Sequence, residues 1–156
     1  MNLVYRLNSK MTVEDIVAAI GLGFFVILCL LGLLALIAMI LGKYKLFKKA
    51  GESGWLAFVP FYSDYVFYTR ICGLHWAWFA GWLAVTILSV GNIVVTALKL
   101  FVNGIAYYNL AIRCNRDKTA SLIFGAIFPG IVEMVYGFSS WTYDKTIEVN
   151  QSGLFN

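Results

Sequence analysis

The chain has 156 residues, of which 61% are hydrophobic and 13% charged, with a formal net charge of +4. Soluble domains carry about 25% charged residues, so the composition excludes an ordinary water-soluble domain and indicates an integral membrane protein. We expect a single membrane domain over 1–156, without a separate soluble catalytic domain.

The first predicted element is a membrane-spanning helix over about 16–41. Thr12 followed by two acidic residues is typical of a helix N-terminus. The uncharged run from Ile16 to Gly42 is longer than the apolar part of a signal peptide, which favours a retained helix. Several lysines follow it at once, and the positive-inside rule places that end in the cytoplasm.

The next apolar segment, about 54–72, is predicted to be a broken re-entrant or interfacial element. Pro60 and Asp64 interrupt it, and a full crossing would place both inside the bilayer at a cost of several kcal/mol. A full crossing remains the alternative and would give five spans.

From Leu74 to Ile112 the only charge is Lys99. One helix of that length would be about 58 Å long, against a hydrocarbon core of about 30 Å. A turn at 89–92 therefore predicts a helical hairpin over about 74–89 and 93–112.

The last predicted span is 120–138, so the predicted fold is all-α: a polytopic transmembrane bundle with four spans plus the re-entrant element. This topology places most of the 12 Lys and Arg residues inside and both termini outside the cell membrane. The predicted cytoplasmic basic cluster comprises Lys43, Lys45, Lys48, Lys49, Arg113, Arg116 and Lys118. Anionic lipid headgroups, rather than nucleic acid, are its expected partners.

Two sequence patterns add to this picture. Gly-Trp-Leu-Ala occurs at 54–57 and again at 81–84, which suggests duplicated broken hairpins of the kind that frame sites in transporters. The segment 49–62 resembles the Lys-Ala-Gly-x-x-Gly-Trp-x-Ala-x-x-Pro-x-Tyr signature of a family of small prokaryotic membrane proteins known as a domain of unknown function. The similarity extends over about 46–143 and implies fold and location, but no chemistry.

Three charged residues in apolar surroundings are the candidate polar site. Lys99 and Glu133 are expected at matching depth, where they could form an ion or proton relay or a salt bridge that fixes helix register. Alternatively, Lys99 could extend its ammonium group to the membrane surface. Asp64 could line a polar vestibule and bind a cation or a substrate amine, or it could cap the second half-helix or pair with Arg70.

The remaining features point to membrane contacts. Trp55, Trp76, Trp78 and Trp82 are predicted interfacial anchors. Small residues four apart, as at Ala38 and Gly42 or Ala77 and Gly81, favour close helix contacts. Catalytic and metal-site motifs do not occur in the sequence, so we expect neither an enzyme nor a cofactor or metal.

These observations favour a small membrane protein that acts through helix contacts as a subunit or accessory of a membrane assembly, as a homo- or hetero-oligomer. The alternative is a minimal transporter or channel with a polar site formed by broken helices.

Overall fold

The structure is a computed structural model that describes residues 12–89 and 92–151. Every regular element in those ranges is helical, which confirms the all-α prediction. Residues 90 and 91 of the expected turn, and the N-terminal residues 1–11, lie outside the described ranges. Contacts divide the chain into two compact units, with the boundary between Ile37 and Ala38.

Helix α1, Val13–Lys49, begins with reciprocal hydrogen bonds between Thr12 and Asp15. The backbone N–H of Asp15 donates to Thr12 Oγ1 at 3.3 Å, and that of Thr12 donates to Asp15 Oδ2 at 2.9 Å. This capping box confirms the predicted helix start. Every residue of 12–37 is exposed, so this part of α1 presents an apolar surface.

The segment after α1 is an interrupted series of short helical turns. It consists of a 3₁₀ turn over Gly54–Phe58, a five-residue helix α2 over Tyr62–Val66 and one π-helical turn over Phe67–Ile71. The break before α2 is a γ-turn: Phe61 has φ 61°, and the N–H of Tyr62 donates to the carbonyl of Pro60 at 2.7 Å.

Both ends of this broken segment lie side by side. Arg70, near its end, forms an ion pair with Glu52, just before its start, at 3.1 Å. The chain therefore leaves the segment close to where it entered.

Two longer helices follow, α3 over Trp76–Leu88 and α4 over Ile93–Arg113. The side chain of Asn92 caps α4 by accepting hydrogen bonds from the first-turn N–H groups. Their bounds lie within two residues of the predicted hairpin.

The structure does not form the single span expected over 120–138. Helix α5, Lys118–Ile127, ends at a break, and helix α6 begins at Pro129 and ends at Phe138. Ser121 Oγ and Tyr136 Oη are 2.6 Å apart, whereas one continuous helix would separate these residues by about 22 Å. The chain therefore folds back, and Pro129 suits the first position of α6 because it has no N–H to leave unpaired.

Because α6 folds back, the residues at its end and after it lie beside basic residues of the predicted cytoplasmic cluster. Lys49 donates to the carbonyls of Tyr136 and Ser139, and the guanidinium of Arg116 lies 4.1 Å from the ring centre of Trp141. The predicted topology has this C-terminal segment on the opposite side of the membrane from the basic cluster. The structure places it beside that cluster.

Two helices in the described ranges, α1 and α4, are long and apolar enough to cross a membrane. Helix α3 has 13 residues, and α5 and α6 have 10 each, which corresponds to about 15–20 Å. Four spans are therefore not confirmed. The predicted internal repeat is also absent from the described structure, because its first copy is the 3₁₀ turn and its second copy lies inside α3.

The buried core of the second unit surrounds the C-terminal half of α4. It combines side chains from the end of α1, from α2 and its π-helical turn, and from α4 and α6. These include Leu46, Phe47, Val66, Ile71, Ile105, Leu110 and Val132.

Candidate functional site

A cavity of about 250 Å³ lies in the second unit against the middle of α4. Lys99, Asn103 and Tyr107 line it from one face of α4, because residues four apart are neighbours on a helix surface. The rest of the lining comes from α1, α2, the π-helical turn, α3 and α6. The side chains from these segments include Lys43, Asp64, Tyr68, Trp82 and Glu133.

Lys43 lies between the two carboxylates of this cavity. Its Nζ is 2.8 Å from Asp64 Oδ1 and 3.9 Å from Glu133 Oε2. The lysine side chain is 16% exposed, Asp64 27% and Glu133 11%. The three groups thus form a largely buried cluster of two carboxyl groups and one amino group.

Two tyrosines hold the polar groups around the cavity in place. The hydroxyl of Tyr107 donates to Glu133 Oε1 at 2.9 Å, and the same hydroxyl oxygen is 3.1 Å from the carbonyl oxygen of Pro129. Tyr68 donates to Asn103 Oδ1 at 2.7 Å. Both tyrosines are buried. Their hydroxyl groups therefore hydrogen-bond to these oxygens and not to water, which holds the oxygens in position.

Lys99 lines the same cavity but forms no ion pair within the part of the chain that the structure describes. The sequence predicts a pair between Lys99 and Glu133, whereas in the structure the ammonium near Glu133 is that of Lys43. The three candidate residues Lys99, Glu133 and Asp64 nevertheless line one cavity.

The structural roles considered for Asp64 differ from the observed ones. Phe61 occupies the N-cap position of α2, without a side-chain capping hydrogen bond. Arg70 pairs with Glu52 instead of Asp64. The carboxylate of Asp64 faces the cavity because its partner is Lys43 on α1.

Sequence reasoning missed four polar members of the site: Lys43, Tyr68, Asn103 and Tyr107. Lys43 was assigned to the basic cluster because three more lysines follow it closely. Asn103 and Tyr107 carry no charge and were overlooked, although their spacing of four from Lys99 predicts a polar stripe on α4.

Apart from Lys43, the predicted basic cluster contacts rings and backbone carbonyls in the second unit. Lys45, Lys48, Arg116 and Lys118 lie near aromatic rings, whereas Lys49 and Arg113 donate to carbonyl oxygens. We call the part of the second unit that contains Lys49, Arg113 and the residues after α6 the basic end.

Arg113 joins three segments at the basic end. Its Nη1 donates to the carbonyls of Arg70 and Ile71 and to the hydroxyl of Tyr143, at 2.8–2.9 Å. The hydroxyl of Tyr143 in turn donates to the carbonyl of Ile71 at 2.8 Å. Burial raises the pKa of Tyr143 to about 12, so this phenol keeps its proton at physiological pH.

The four predicted anchors differ in exposure. Trp55 is 71% and Trp76 60% exposed, as a role at a membrane interface requires. Trp78 and Trp82 are partly buried and pack against the core, and Trp82 also lines the cavity beside Tyr68.

The cavity begins close to the basic end and extends away from it along α4. At a rise of about 1.5 Å per residue, Tyr107, Asn103 and Lys99 lie about 9, 15 and 21 Å from Arg113 along α4. If the basic end marks one membrane surface, a core of about 30 Å places these side chains on both sides of its midplane.

Comparison with protein-family models, curated proteins and solved structures finds no match to this chain. Its chemistry must therefore be inferred from the residues of the site. Within the described ranges, no group of three His, Cys, Asp or Glu side chains is placed to hold a metal ion. The polar groups of the site are instead ammonium, carboxylate, amide and phenol groups, which lie among apolar side chains.

Proposed function

We propose that this chain is an integral membrane protein that carries a small charged solute through the bilayer by way of the cavity. The observation that carries the proposal is the convergence of Lys43, Asp64, Lys99 and Glu133 on one cavity. Ionisable side chains inside a membrane are costly, and they commonly mark the path of an ion or solute.

In the proposed topology, α1 and α4 cross the bilayer, and the segments 54–71 and 118–138 are re-entrant. The 13-residue helix α3 makes the return crossing between α1 and α4, which requires the bilayer to be locally thinner than its usual thickness of about 30 Å. The basic end faces the cytoplasm, following the positive-inside rule. The start of α1 is then outside, and residues 139–151 are cytoplasmic. The cavity lies between the broken segments near the midplane, an arrangement that transporters also use.

A second candidate function is a helix-contact role as a subunit or accessory, in a homo- or hetero-oligomer. It is supported by the exposed residues of α1 up to Ile37. Among the described residues, a Cβ added at Gly21, Gly23 or Gly32 would meet no atom within 4 Å. Such a surface could accept a neighbouring helix closely. We also propose that the chain belongs to the family whose signature it resembles. Its basic residues would then contact anionic lipid headgroups.

Flux through reconstituted protein tests the transport proposal. In proteoliposomes, movement of H⁺, Na⁺, K⁺, Cl⁻ and radiolabelled small amino acids is measured with the unchanged chain and with Glu133→Gln. We expect at least one probe to move and the variant to reduce its flux by about tenfold or more, because an intramembrane charge on the path is lost.

The matched control is Glu52→Gln, which makes the same change in a carboxylate that pairs with Arg70 and Lys145 outside the cavity. It should leave the flux unchanged. A chain that moves none of the probes, or that loses flux equally in both variants, would contradict the proposal. A stable complex with another membrane protein and no flux would favour the helix-contact role.

A further inference from the structure

The cavity lining has one negative charge and one positive charge that are not neutralised by an ion pair. Asp64 and Glu133 share the single ammonium of Lys43, which leaves one negative charge in excess. Lys99 lines the same cavity and forms no ion pair within the described residues, which leaves one positive charge in excess. A single occupant that pairs with both must itself carry both charges.

From this arrangement we infer that the cavity binds a small zwitterion of amino-acid size, with its carboxylate at Lys99 and its ammonium at Asp64 and Glu133. The inference rests on the proposed function and specifies its substrate class. A simple cation would satisfy only the carboxylates, and a simple anion only Lys99. Either would leave one charge without a partner in a medium where unpaired charge is unfavourable.

Polar contacts within the site hold the two carboxylates in an orientation in which they can accept hydrogen bonds from an ammonium group. Tyr107 donates to Oε1 of Glu133, and Lys43 contacts Oδ1 of Asp64. These bonds orient both carboxylates, and each retains acceptor capacity because a carboxylate has about four lone-pair sites. Such preorganisation lowers the cost of binding.

Size and lining also fit this class. A volume of about 250 Å³ falls just below the range of about 300–1,000 Å³ for typical ligand pockets, so it suits a molecule smaller than a drug. Phe67 and Trp82 supply apolar walls for a short carbon chain between the two charged groups.

Binding of matched probes to the purified full chain in nanodiscs tests the inference. The zwitterions are L-alanine, β-alanine and γ-aminobutyrate, which differ in the separation of their charges. Butyrate and butylammonium each carry one of the two charges. We expect at least one zwitterion to bind about tenfold or more tightly than both singly charged probes.

Variants assign each charge to its partner. Lys99→Met should remove the advantage of the zwitterion over butylammonium, and Glu133→Gln should reduce its advantage over butyrate. Lys145→Met, outside the cavity, should change neither ratio. Because Lys99→Met could affect folding, Lys99→Arg is included, and it should retain the preference for the zwitterion.

The outcomes separate this inference from the proposed function. If no zwitterion binds more tightly than butyrate and butylammonium, while Glu133-dependent ion flux persists, the substrate class is wrong and the transport proposal holds. If no probe binds and no flux is seen, both are wrong. If the preference persists in Lys99→Met, the assignment of the carboxylate to Lys99 is overturned.

Discussion

Replacing Lys43 with methionine is expected to lower the free energy of unfolding by about 3 kcal/mol or more. The change removes the ammonium that lies 2.8 Å from Asp64 and 3.9 Å from Glu133. Two carboxylates would then face each other across a mostly buried site without a positive partner between them. Unfolding from mild detergent by increasing amounts of sodium dodecyl sulfate measures the difference.

Two comparisons show whether the loss comes from the unpaired carboxylates. Lys48→Met removes an exposed lysine of the same helix and should cost less than about 1 kcal/mol. Combining Lys43→Met with Asp64→Asn and Glu133→Gln should recover most of the stability, because no buried charge is left unpaired. A triple variant as unstable as Lys43→Met alone would show that the lysine stabilises the fold by other contacts.

The second large effect is expected for Gly137→Ala, at the crossing of α1 and α6. A Cβ at Gly137 would overlap the carbonyl of Gly42, and a Cβ at Gly42 would overlap the backbone of Met134. Backbone atoms cannot rotate away, so the two helices would have to separate. We expect a loss of about 3 kcal/mol or more, at the upper end of overpacking effects.

Gly81→Ala is the matched control, since among the described residues no atom beyond the adjacent backbone of its own helix lies within 4 Å of a Cβ placed there. It should stabilise α3 by up to about 1 kcal/mol, because alanine favours helices over glycine. Gly42→Ala should destabilise as Gly137→Ala does. If Gly137→Ala were as stable as Gly81→Ala in the same detergent unfolding experiment, the close crossing of α1 and α6 would be wrong.

The same glycines show what sequence patterns can and cannot predict. Gly42 and Gly81 belong to equivalent pairs of small residues, yet only Gly42 lies at a close helix contact in the described structure. Small-residue spacing indicates which surfaces allow close approach. It does not indicate which helix approaches, because that depends on the path of the whole chain.

The broken segments show a similar division. Pro60 and Asp64 together predicted the return of 54–72, because a helix interior tolerates neither well. The fold-back at Pro129 was missed because 120–138 has a length suited to one span, and a proline is tolerated in membrane helices. The contact between Ser121 and Tyr136 that joins the two short helices leaves no pattern in the sequence.

For the site, charge in apolar surroundings singles out Lys99, Glu133 and Asp64, which line one cavity. It was insufficient for Lys43, whose position among other lysines resembles an ordinary membrane boundary. Its contact with Asp64 joins residues 21 positions apart, and Asp64 lies on the short helix that follows the γ-turn at Phe61. Pairing between distant segments of this kind cannot be derived from composition or periodicity.

The central claim, a water-accessible polar cavity inside a membrane-embedded bundle, is tested most directly by thiol labelling at two adjacent residues of α4. Lys99→Cys and Leu100→Cys are made in a background in which Cys29, Cys72 and Cys114 are replaced with alanine. Both positions lie about 20 Å from Arg113 along the helix, but only Lys99 lines the cavity. Each variant is reconstituted and treated with a membrane-impermeant thiol reagent.

Such reagents react with the thiolate, which forms in contact with water. The account predicts that Lys99→Cys is labelled at least about tenfold faster than Leu100→Cys, because only one of the two thiols faces the cavity. Equally fast labelling at both positions would contradict a membrane-embedded α4. Equally slow labelling would contradict a cavity that admits a solute.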